Sequence, residues 1–327
     1  MGKKYLVTGG SGFLGSNLVK ALVARGDWVR VLDDNSRGSL EKLGTDVLDR
    51  IDFVQADIRD RDAVVEASRG IDVMCHLAFI NGTRYFYEIP EKVLEVGVKG
   101  SINTLEACIE CGVREYIFAS SSEVYQTPTV VPTDEQVPAT IPDVLNPRYS
   151  YAGGKLIGEL LAFNYGRKHF DRTVVFRPHN VYGPSMGYEH VIPEFVVRLS
   201  KLAAQSGSGA LPFQIQGDGT ETRAFNYISD FTKGLLLVID RGEDCNVYHI
   251  GADDEVSIAE LATMTADVMG LNIELVPSEA RPGATPRRCP DIEKLRALGY
   301  RPEVTLRAGL EATVAWYIEH LPVLADK

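Results

Sequence analysis

The residues best suited to chemistry in this chain are Tyr151, Lys155 and, thirty residues before the tyrosine, Ser121. Residues four apart lie on one face of a helix, so the spacing predicts that the Lys155 ammonium lies one turn from the Tyr151 phenol. A free tyrosine ionises near pH ~10, and a fixed cation beside the phenol lowers its pKa. The three side chains are therefore predicted to form a hydride-transfer site in which Tyr151 acts as a base near neutral pH.

A glycine-rich turn near the start of the chain predicts a dinucleotide site. Gly9, Gly12 and Gly15 follow a short apolar run and precede residues with helical spacing, which predicts strand, turn and helix. Glycines here allow a tight turn, close approach of a pyrophosphate and close packing of helix on strand. The helix N-terminus then faces the phosphates. The residues expected to contact the cofactor at this turn are Gly9, Gly12, Phe13, Leu14 and Gly15.

Acidic residues at the end of the second predicted strand indicate which dinucleotide binds. Asp33 lies eighteen residues after the last glycine of the turn, where a carboxylate accepts hydrogen bonds from both ribose hydroxyls. Asp33 and Asp34 repel a 2'-phosphate, so NAD is favoured over NADP, and Arg37 is the residue that would reverse this preference. Asp57 and Ile58 follow a third strand and either meet the adenine or precede a helix as its N-cap.

Strand-like and helical segments alternate through the first part of the chain. Strand-like runs are expected at 5–7, 29–33, 53–55, 73–77, 116–119 and 173–176, with helical stretches between them. This alternation predicts an α/β fold with a doubly wound parallel sheet, a Rossmann domain over residues 1–180 with a return segment at about 226–250. Turn-rich sequence after residue 180 predicts a smaller, interleaved lobe over 181–327. A capping box at 257–260 is expected to open a late helix.

Composition and charge exclude several classes of protein. The 327 residues include 34 Lys and Arg against 45 Asp and Glu, a formal charge of -11 that repels nucleic acid and anionic membranes. No apolar stretch approaches the ~18 residues that span a bilayer. The five cysteines are scattered, and Cys108 and Cys111 fall in an apolar helical run, which favours packing over disulfides or metal binding. We therefore expect a cytoplasmic protein without a metal site.

Six sequence motifs are spread along nearly the whole chain. They are Thr8–Gly15, His76–Ala78, Ser120–Tyr125, Tyr151–Lys155, Arg177–Pro184 and Gly217–Phe225. In combination they resemble the extended short-chain dehydrogenase/reductase family, the nucleotide-sugar epimerases and dehydratases. Further local matches are similar to the UDP-glucuronate decarboxylases of that family: Pro147–Tyr151, Thr222–Phe225 and Arg287–Asp291.

The resemblance implies a mechanism in which the C4 hydroxyl of a nucleotide sugar is transiently oxidised. It implies that Tyr151 is the base toward that hydroxyl, that Lys155 holds the nicotinamide ribose, and that Ser121 hydrogen-bonds to the substrate. It also implies that Leu77 and Ala78, at the end of a strand, lie beside the NAD. Each of these roles agrees with the chemistry of the side chain concerned.

Glu123 bears on which reaction follows the oxidation. In the 4,6-dehydratases and decarboxylases that the chain resembles, a Ser-Glu pair follows the catalytic hydroxyl, and Ser122 and Glu123 stand at that place. A simple 4-epimerase needs no second base, whereas a carboxylate there suits removal of a proton next to a ketone. Glu123 is thus expected to be an acid-base residue or, alternatively, a surface glutamate at a strand end, and Ser122 is expected to contact the substrate.

Polar residues later in the chain match family positions that bind the substrate diphosphate. The resemblance implies this role for Asn180 and Arg223, and Arg281 or Arg288 would add a charge-assisted hydrogen bond.

Two positions depart from the family's pattern. Gly97 stands where asparagine is usual, and Gln126 stands where glycine is usual. We expect the pocket around the nicotinamide and the sugar to be reshaped there.

The sequence thus predicts an NAD-dependent enzyme that oxidises a nucleoside-diphosphate sugar at C4 and then epimerises or dehydrates it. Decarboxylation of a UDP-hexuronate is the alternative within the enzyme class, because C4 oxidation makes a β-keto acid that readily loses carbon dioxide. A non-catalytic NAD-binding regulatory protein is the alternative from a different class. Apolar residues at helical spacing in 93–111 and 151–168 predict either helices buried in the monomer or, as we expect, a homodimer that pairs through them.

Overall fold

The computed structural model describes residues 2–205, 209–279 and 285–324. The strands are β1 Lys4–Thr8, β2 Trp28–Asp33, β3 Ile51–Gln55, β4 Val73–His76, β5 Glu115–Ala119, β6 Arg172–Pro178, β7 Val181–Tyr182, β8 Leu211–Gln216, β9 Thr222–Ala224, β10 Asn226–Tyr227, β11 Asn246–Ile250, β12 Glu255–Ser257, β13 Ile273–Ser278 and β14 Arg287–Arg288. The α-helices are α1 Phe13–Arg25, α2 Thr45–Leu48, α3 Arg61–Ser68, α4 Thr83–Glu88, α5 Pro90–Leu94, α6 Gly100–Cys111, α7 Ser150–His169, α8 Val191–Gln205, α9 Ile228–Arg241, α10 Ile258–Val268, α11 Glu293–Ala297 and α12 Leu306–Leu324.

Among the described residues, seven strands form one parallel sheet in the order β3, β2, β1, β4, β5, β6, β11. Successive side chains of a strand point to opposite faces. Tyr5 and Val7 pack with α1 and α9 on one face, and Leu6 packs with α3, α6 and α7 on the other. Burial on both faces explains why these strands are nearly continuous apolar runs. The predicted doubly wound α/β fold is confirmed.

The strand order reverses between β1 and β4. The chain leaves β1 toward β2 on one side, and it continues from β4 toward β5 on the other. In an open parallel sheet, a crevice forms outside the carboxyl ends of the strands at such a reversal, and ligands bind there. The glycine turn after β1 and the loops after β4 and β5 are therefore placed around one crevice.

The part of the chain after residue 180 contributes both to this sheet and to a second core. The segment expected to return to the sheet contains α9, which packs in the core with α1, and β11, which pairs with β6. A separate apolar core joins α8, α10 and α12 with β8. Helix α10 begins with the expected capping box, in which Ser257 and Glu260 each accept from the other's backbone N–H. No helix within the described ranges has the length and apolarity needed to cross a bilayer.

Candidate functional site

The glycine turn between β1 and α1 is shaped for close approach of a ligand. Gly9 has a left-handed backbone with φ of 72°. A Cβ added to Gly15 would lie 2.1 Å from the Gly9 carbonyl oxygen, so only hydrogen fits at that position. Gly12 caps α1 without any side-chain hydrogen bond, and the first turn of α1 has no acidic residue. The backbone N–H groups that begin α1 are therefore available to an anion.

Asp33 is fixed at the end of β2. It is 8% exposed, and its two carboxylate oxygens accept from the backbone N–H groups of Ser11, at 3.0 Å, and Asn35, at 2.9 Å. The Arg37 guanidinium is engaged elsewhere, 4.6 Å from the Tyr85 ring centroid and within 3.6 Å of a Glu189 carboxylate oxygen. The anionic end of β2 therefore fits ribose hydroxyls and opposes a 2'-phosphate, as NAD requires.

Asp57 and Ile58 lie on the same cavity as the glycine turn. Asp57 accepts from the Arg59 side chain, and this guanidinium holds the pKa of Asp57 below its ordinary value. The residue that caps α3 is Asp60, which accepts from the backbone N–H of Ala63 at 3.2 Å. The alternative interpretation, in which Asp57 is the helix cap, is therefore wrong.

Leu77 and Ala78 directly follow β4 and lie against the glycine turn. Their backbone N–H groups both point to the Thr8 hydroxyl, at 3.2 Å each. A Cβ on Gly9 would lie 2.7 Å from the Ala78 nitrogen. The ends of β1 and β4 are thus held together, with both residues lining the cavity.

Lys155 is buried at the carboxyl end of β5. Lys155 is only 3% exposed, and its Nζ donates to the Ala119 carbonyl at 2.6 Å. Burial lowers the pKa of Lys155 to about 7, and the Glu159 carboxylate one turn along α7 acts in the opposite direction. An ammonium in this place is expensive to desolvate, which is typical of a functional cation.

Tyr151 lies on the same face of α7 as Lys155, but the two are less closely coupled than their spacing suggested. Nζ is 5.7 Å from the Tyr151 ring centroid. Burial raises the pKa of Tyr151, Glu123 raises it further, and Ser121 and Arg37 oppose them. In the chain alone, burial outweighs the charges nearby, and the lowered phenol pKa stays a prediction for the site with NAD bound.

Ser121 and Glu123 lie on a 3-10 turn, Ser122–Tyr125, that follows β5. The Ser121 hydroxyl caps this turn by accepting from the Glu123 N–H at 3.1 Å. The Glu123 carboxylate accepts from Arg288, on β14, at 2.5 Å, across 165 residues of chain. Ser122 is buried on the same cavity. The turn therefore presents a hydroxyl and an ion-paired carboxylate together.

Three arginines surround the Glu123 carboxylate. Burial favours its neutral form, but Arg288, Arg148 and Arg223 outweigh burial and hold the pKa of Glu123 below its ordinary value. The Nε atoms of Arg148 and Arg288 are buried, and neither has a hydrogen-bond partner among the residues that the structure describes. Burial and Arg288 lower the pKa of Arg223 to about 10. This cluster carries more positive than negative charge, and it suits an anionic substituent.

The residues expected to bind the diphosphate are only partly brought together. Asn180 lines the cavity, with φ of 39°, and its side-chain amide donates to the Ala224 carbonyl at 3.0 Å. Arg223 is not part of the cavity lining, and it donates to the Thr222 carbonyl at 2.7 Å. Arg281 lies outside the described residues.

Gln126 adopts a backbone conformation that favours glycine. Its φ is 52°, and it is 6% exposed. Non-glycine residues held in such regions cost of order 1–3 kcal/mol and cluster at functional sites. Its side-chain amide donates to the Glu123 carbonyl at 2.5 Å, so the unusual residue braces the turn that carries Glu123.

One cavity of about 540 Å³ collects almost all the residues expected at the site. Those that line it are Gly9, Gly12, Phe13, Leu14, Gly15, Asp33, Asp57, Ile58, Leu77, Ala78, Ser121, Ser122, Glu123, Tyr151, Lys155, Asn180 and Arg288. Five further residues that were not predicted from the sequence line the same cavity: Lys42, Phe79, Tyr85, Phe86 and His190. The signal for three of these was available, because the segment 79–87, which follows the central strand β4 and runs into α4, is unusually rich in aromatic residues.

Comparison with known proteins gives the family. Residues 5–251 match the NAD dependent epimerase/dehydratase family. The chain belongs to this family. The glycine turn and Asp33 fit the NAD that the family requires: the turn would hold the pyrophosphate, and the Asp33 carboxylate would accept hydrogen bonds from the ribose hydroxyls.

Three proteins that this chain resembles represent three reactions. A UDP-N-acetyl-alpha-D-glucosaminuronate decarboxylase of Bacillus cytotoxicus is 32% identical over 98% of this chain and 99% of its own length. The structure of a UDP-glucose 4-epimerase of Thermotoga maritima, with UDP-glucose, has a TM-score of 0.86 at 27% identity, covering 97% of this chain and 99% of that one. The structure of a dTDP-glucose 4,6-dehydratase of Streptomyces venezuelae, with NAD bound, has a TM-score of 0.85 at 31% identity, covering 98% of each chain.

The glycine turn between β1 and α1 should not tolerate a side chain at Gly15. We expect Gly15→Ala to weaken NAD binding at least about tenfold, or 1.4 kcal/mol, because the new methyl group would meet the Gly9 carbonyl. Gly153→Ala is the matched control, since its Cβ would come no closer than 3.8 Å to Ile141 and should leave binding unchanged. Titration calorimetry with NAD measures both, and wild-type affinity in Gly15→Ala would contradict the proposed contact.

Proposed function

We propose that the protein oxidises the C4 hydroxyl of a nucleoside-diphosphate sugar to a 4-keto intermediate and then epimerises or dehydrates it, with hydride returned within the same active site. The observation that carries this proposal is that Ser121, Tyr151 and Lys155 line one cavity together with the glycine turn and Asp33. The family match and the three relatives support it. The cycle requires no net oxidant.

The residues of the chain divide the work of the oxidation. Tyr151 accepts the proton of the C4 hydroxyl, Ser121 hydrogen-bonds to the same oxygen, and the Lys155 ammonium holds the ribose and favours the phenolate. NAD, when bound, supplies the hydride acceptor and a positive charge that also favours the phenolate. Burial of the two α7 side chains excludes water from the ketone. Tyr151 thus needs the assembled site to ionise, because burial alone raises its pKa.

Glu123 is proposed as the residue that moves a proton next to the ketone. Its carboxylate is hydrogen-bonded to Arg288 and lies on the cavity beside Ser121. The arginines around Glu123 lower its pKa and keep it ionised, the form that can accept a proton from the carbon next to the ketone, and they also make it a weaker base. Ser122, Asn180, Arg223 and Arg288 are proposed to contact the substrate. We further propose that residues 1–180, with the return segment at about 226–250, form the NAD-binding Rossmann domain and that 181–327 form the nucleotide-sugar-binding lobe.

Decarboxylation of a UDP-hexuronate is the second candidate function. The excess of arginine around Glu123 favours it, because the buried Nε atoms of Arg148 and Arg288 have no hydrogen-bond partner in the described part of the chain and suit a sugar carboxylate. After C4 oxidation the substrate is a β-keto acid, so the C5–C6 bond breaks, carbon dioxide leaves and the electron pair passes into the ketone as an enolate. The enolate then takes a proton at C5, and hydride returns to C4. The decarboxylase named above supports this candidate.

A panel of nucleotide sugars distinguishes these reactions by the mass of the product. We expect wild-type protein to give, with one sugar of the panel, either an unchanged mass at altered retention, a loss of water or a loss of carbon dioxide. Tyr151→Phe removes the proton acceptor, and we expect it to slow that reaction at least about 100-fold. Liquid chromatography with mass spectrometry measures both.

Tyr87→Phe is the control for this substitution, since that phenol is 50% exposed and is not part of the cavity lining. Full turnover by Tyr151→Phe would contradict the proposal. Saturable NAD binding without turnover of any sugar in the panel would favour the non-catalytic regulatory protein instead.

We also propose a homodimer in the cytoplasm, acting in carbohydrate biosynthesis. An apolar groove lies between α5 and α7 and includes Leu94, Val98, Ile102 and Ile157. Farther along α7, Leu160 is 58% exposed. Apolar side chains on adjacent helices suit pairing with a second copy about a two-fold axis. The five free cysteines support a reducing compartment.

Leu160→Glu should shift the protein from dimer to monomer, because two copies of the new carboxylate would be placed in an apolar interface. Ile318→Glu is the control, since Ile318 is 47% exposed on α12, away from the groove. Light scattering over a dilution series measures the mass of each. A wild-type protein that is monomeric at all concentrations would exclude the dimer.

A further inference from the structure

An aromatic ring, that of Phe79, lies against the Lys155 ammonium. Its centroid is 4.0 Å from Nζ, closer than the rings of Phe118, at 5.3 Å, and Tyr151, at 5.7 Å. Phe79 also meets the Tyr151 ring at right angles, with centroids 5.2 Å apart. We propose that Phe79 is a positioning residue whose ring face holds the Lys155 ammonium charged and in place beside Tyr151. The inference rests on the proposed function, in which this cation serves the reaction.

Two glycines provide the space that the Phe79 ring fills. A Cβ added to Gly97 would lie 2.1 Å from Phe79 Cζ, and one added to Gly154 would lie 2.9 Å from the same atom. Both distances are well below a carbon–carbon contact of about 3.5 Å, so a side chain at Gly97 would displace the tip of the ring. The absence of the family's usual asparagine at this position is therefore matched by the presence of the large ring at Phe79.

The backbone around Gly97 is itself adapted to this arrangement. Gly97 lies in a π-helical turn, Glu95–Lys99, between α5 and α6. Such turns widen a helix and are frequent at functional sites. The Ser101 hydroxyl donates to the Gly97 carbonyl at 2.6 Å, so the turn is held by a side chain. The position of Gly97, and with it the space for Phe79, is thus fixed.

The charged and titratable groups near Lys155 do not fully stabilise its positive charge, so the Phe79 ring can contribute. Glu159 favours the ammonium, but its carboxylate also accepts two hydrogen bonds from Arg177, at 2.8 and 2.6 Å. His76, on β4, faces Lys155, and burial lowers the pKa of His76 to about 3, so it is neutral. Tyr151 is the remaining titratable neighbour on α7, and burial raises its pKa. Among the described residues, no free carboxylate therefore stabilises the Lys155 charge.

A desolvated cation over a ring face is stabilised strongly enough to hold the pKa of an ammonium about one unit higher. Removal of the ring should lower the pKa of Lys155 by that amount. The protonated fraction then falls at a lower pH, and the high-pH limit of any activity that needs the ammonium moves in the same direction.

The test is a carbon-13 NMR titration of the protein labelled at the lysine Cε, with and without NAD. The Lys155 resonance is the one missing from Lys155→Met. We expect Phe79→Leu, which keeps an apolar side chain without a ring, to lower the pKa of Lys155 by about one unit. Replacement of Phe79 by 3,5-difluorophenylalanine, which weakens the ring face at similar volume, should lower it by less. Phe86→Leu is the control and should leave the pKa of Lys155 unchanged, because the Phe86 ring stacks on Tyr151, with ring centroids 4.9 Å apart.

An unchanged Lys155 pKa in Phe79→Leu would overturn the inference. A shift in Phe79→Leu without any shift in the fluorinated protein would also overturn it, since packing alone would then explain the effect. Each variant's unfolding temperature is measured beside the titration, so that loss of fold is recognised. The titration needs no substrate, whereas the proposed function fails only in the product assay, so the two failures are distinguishable.

Gly97→Ala tests whether the missing side chain at Gly97 provides the space that the Phe79 ring fills. The added methyl group should displace the Phe79 ring and lower the pKa of Lys155 as Phe79→Leu does. The double variant should then show little further change, because the ring that the methyl group displaces is already gone. Additive shifts in the double variant would contradict a shared cause.

Discussion

The hydrogen bond from the Lys155 ammonium to the Ala119 carbonyl is the contact on which the rest of the site depends. It joins α7 to the carboxyl end of β5 inside the buried cavity. Ser120, the residue directly after β5, donates to Glu159, one turn beyond the lysine, and Glu159 also accepts from Arg177 on β6. These polar contacts are buried, so they are strong when satisfied and costly when broken. Together they fix the helix that carries Tyr151 against the two strands that end at the crevice.

The cavity has an aromatic wall, with Phe79, Tyr151 and Lys155, and a charged wall, with Glu123 and Arg288. The two walls shift the pKa values of their titratable groups for different reasons. On the aromatic wall, burial lowers the pKa of Lys155 and raises that of Tyr151. On the charged wall, Arg288 and its neighbours hold Glu123 ionised. A phenol whose ionisation is opposed by burial thus lies near a carboxylate whose ionised form is favoured by arginines. Environments that separate titratable groups in this way assign them different roles in one reaction.

Much of the architecture was predictable from the sequence, because it follows from local pattern. The glycine turn, the alternating strands and the capping box at Ser257 all depend on residues close in the chain. The ion pair of Glu123 with Arg288 was not predictable, since its partners are 165 residues apart. The effect of burial on Tyr151, which raises its pKa, was not predictable either, because helical spacing reports which residues are neighbours and does not report how deeply they are buried. The space for Phe79 depends on glycines from two other segments, which only the folded chain brings together.

The central claim is that hydride leaves C4 of a nucleotide sugar and returns to the same sugar. Turnover of a substrate of the panel carrying deuterium at C4 tests it most directly, with the product examined by mass spectrometry and NMR. We predict slower turnover than with hydrogen, and deuterium retained within the product sugar without exchange with water. Equal rates for the two substrates, with the C4 deuterium left untouched or lost to solvent, would contradict the account.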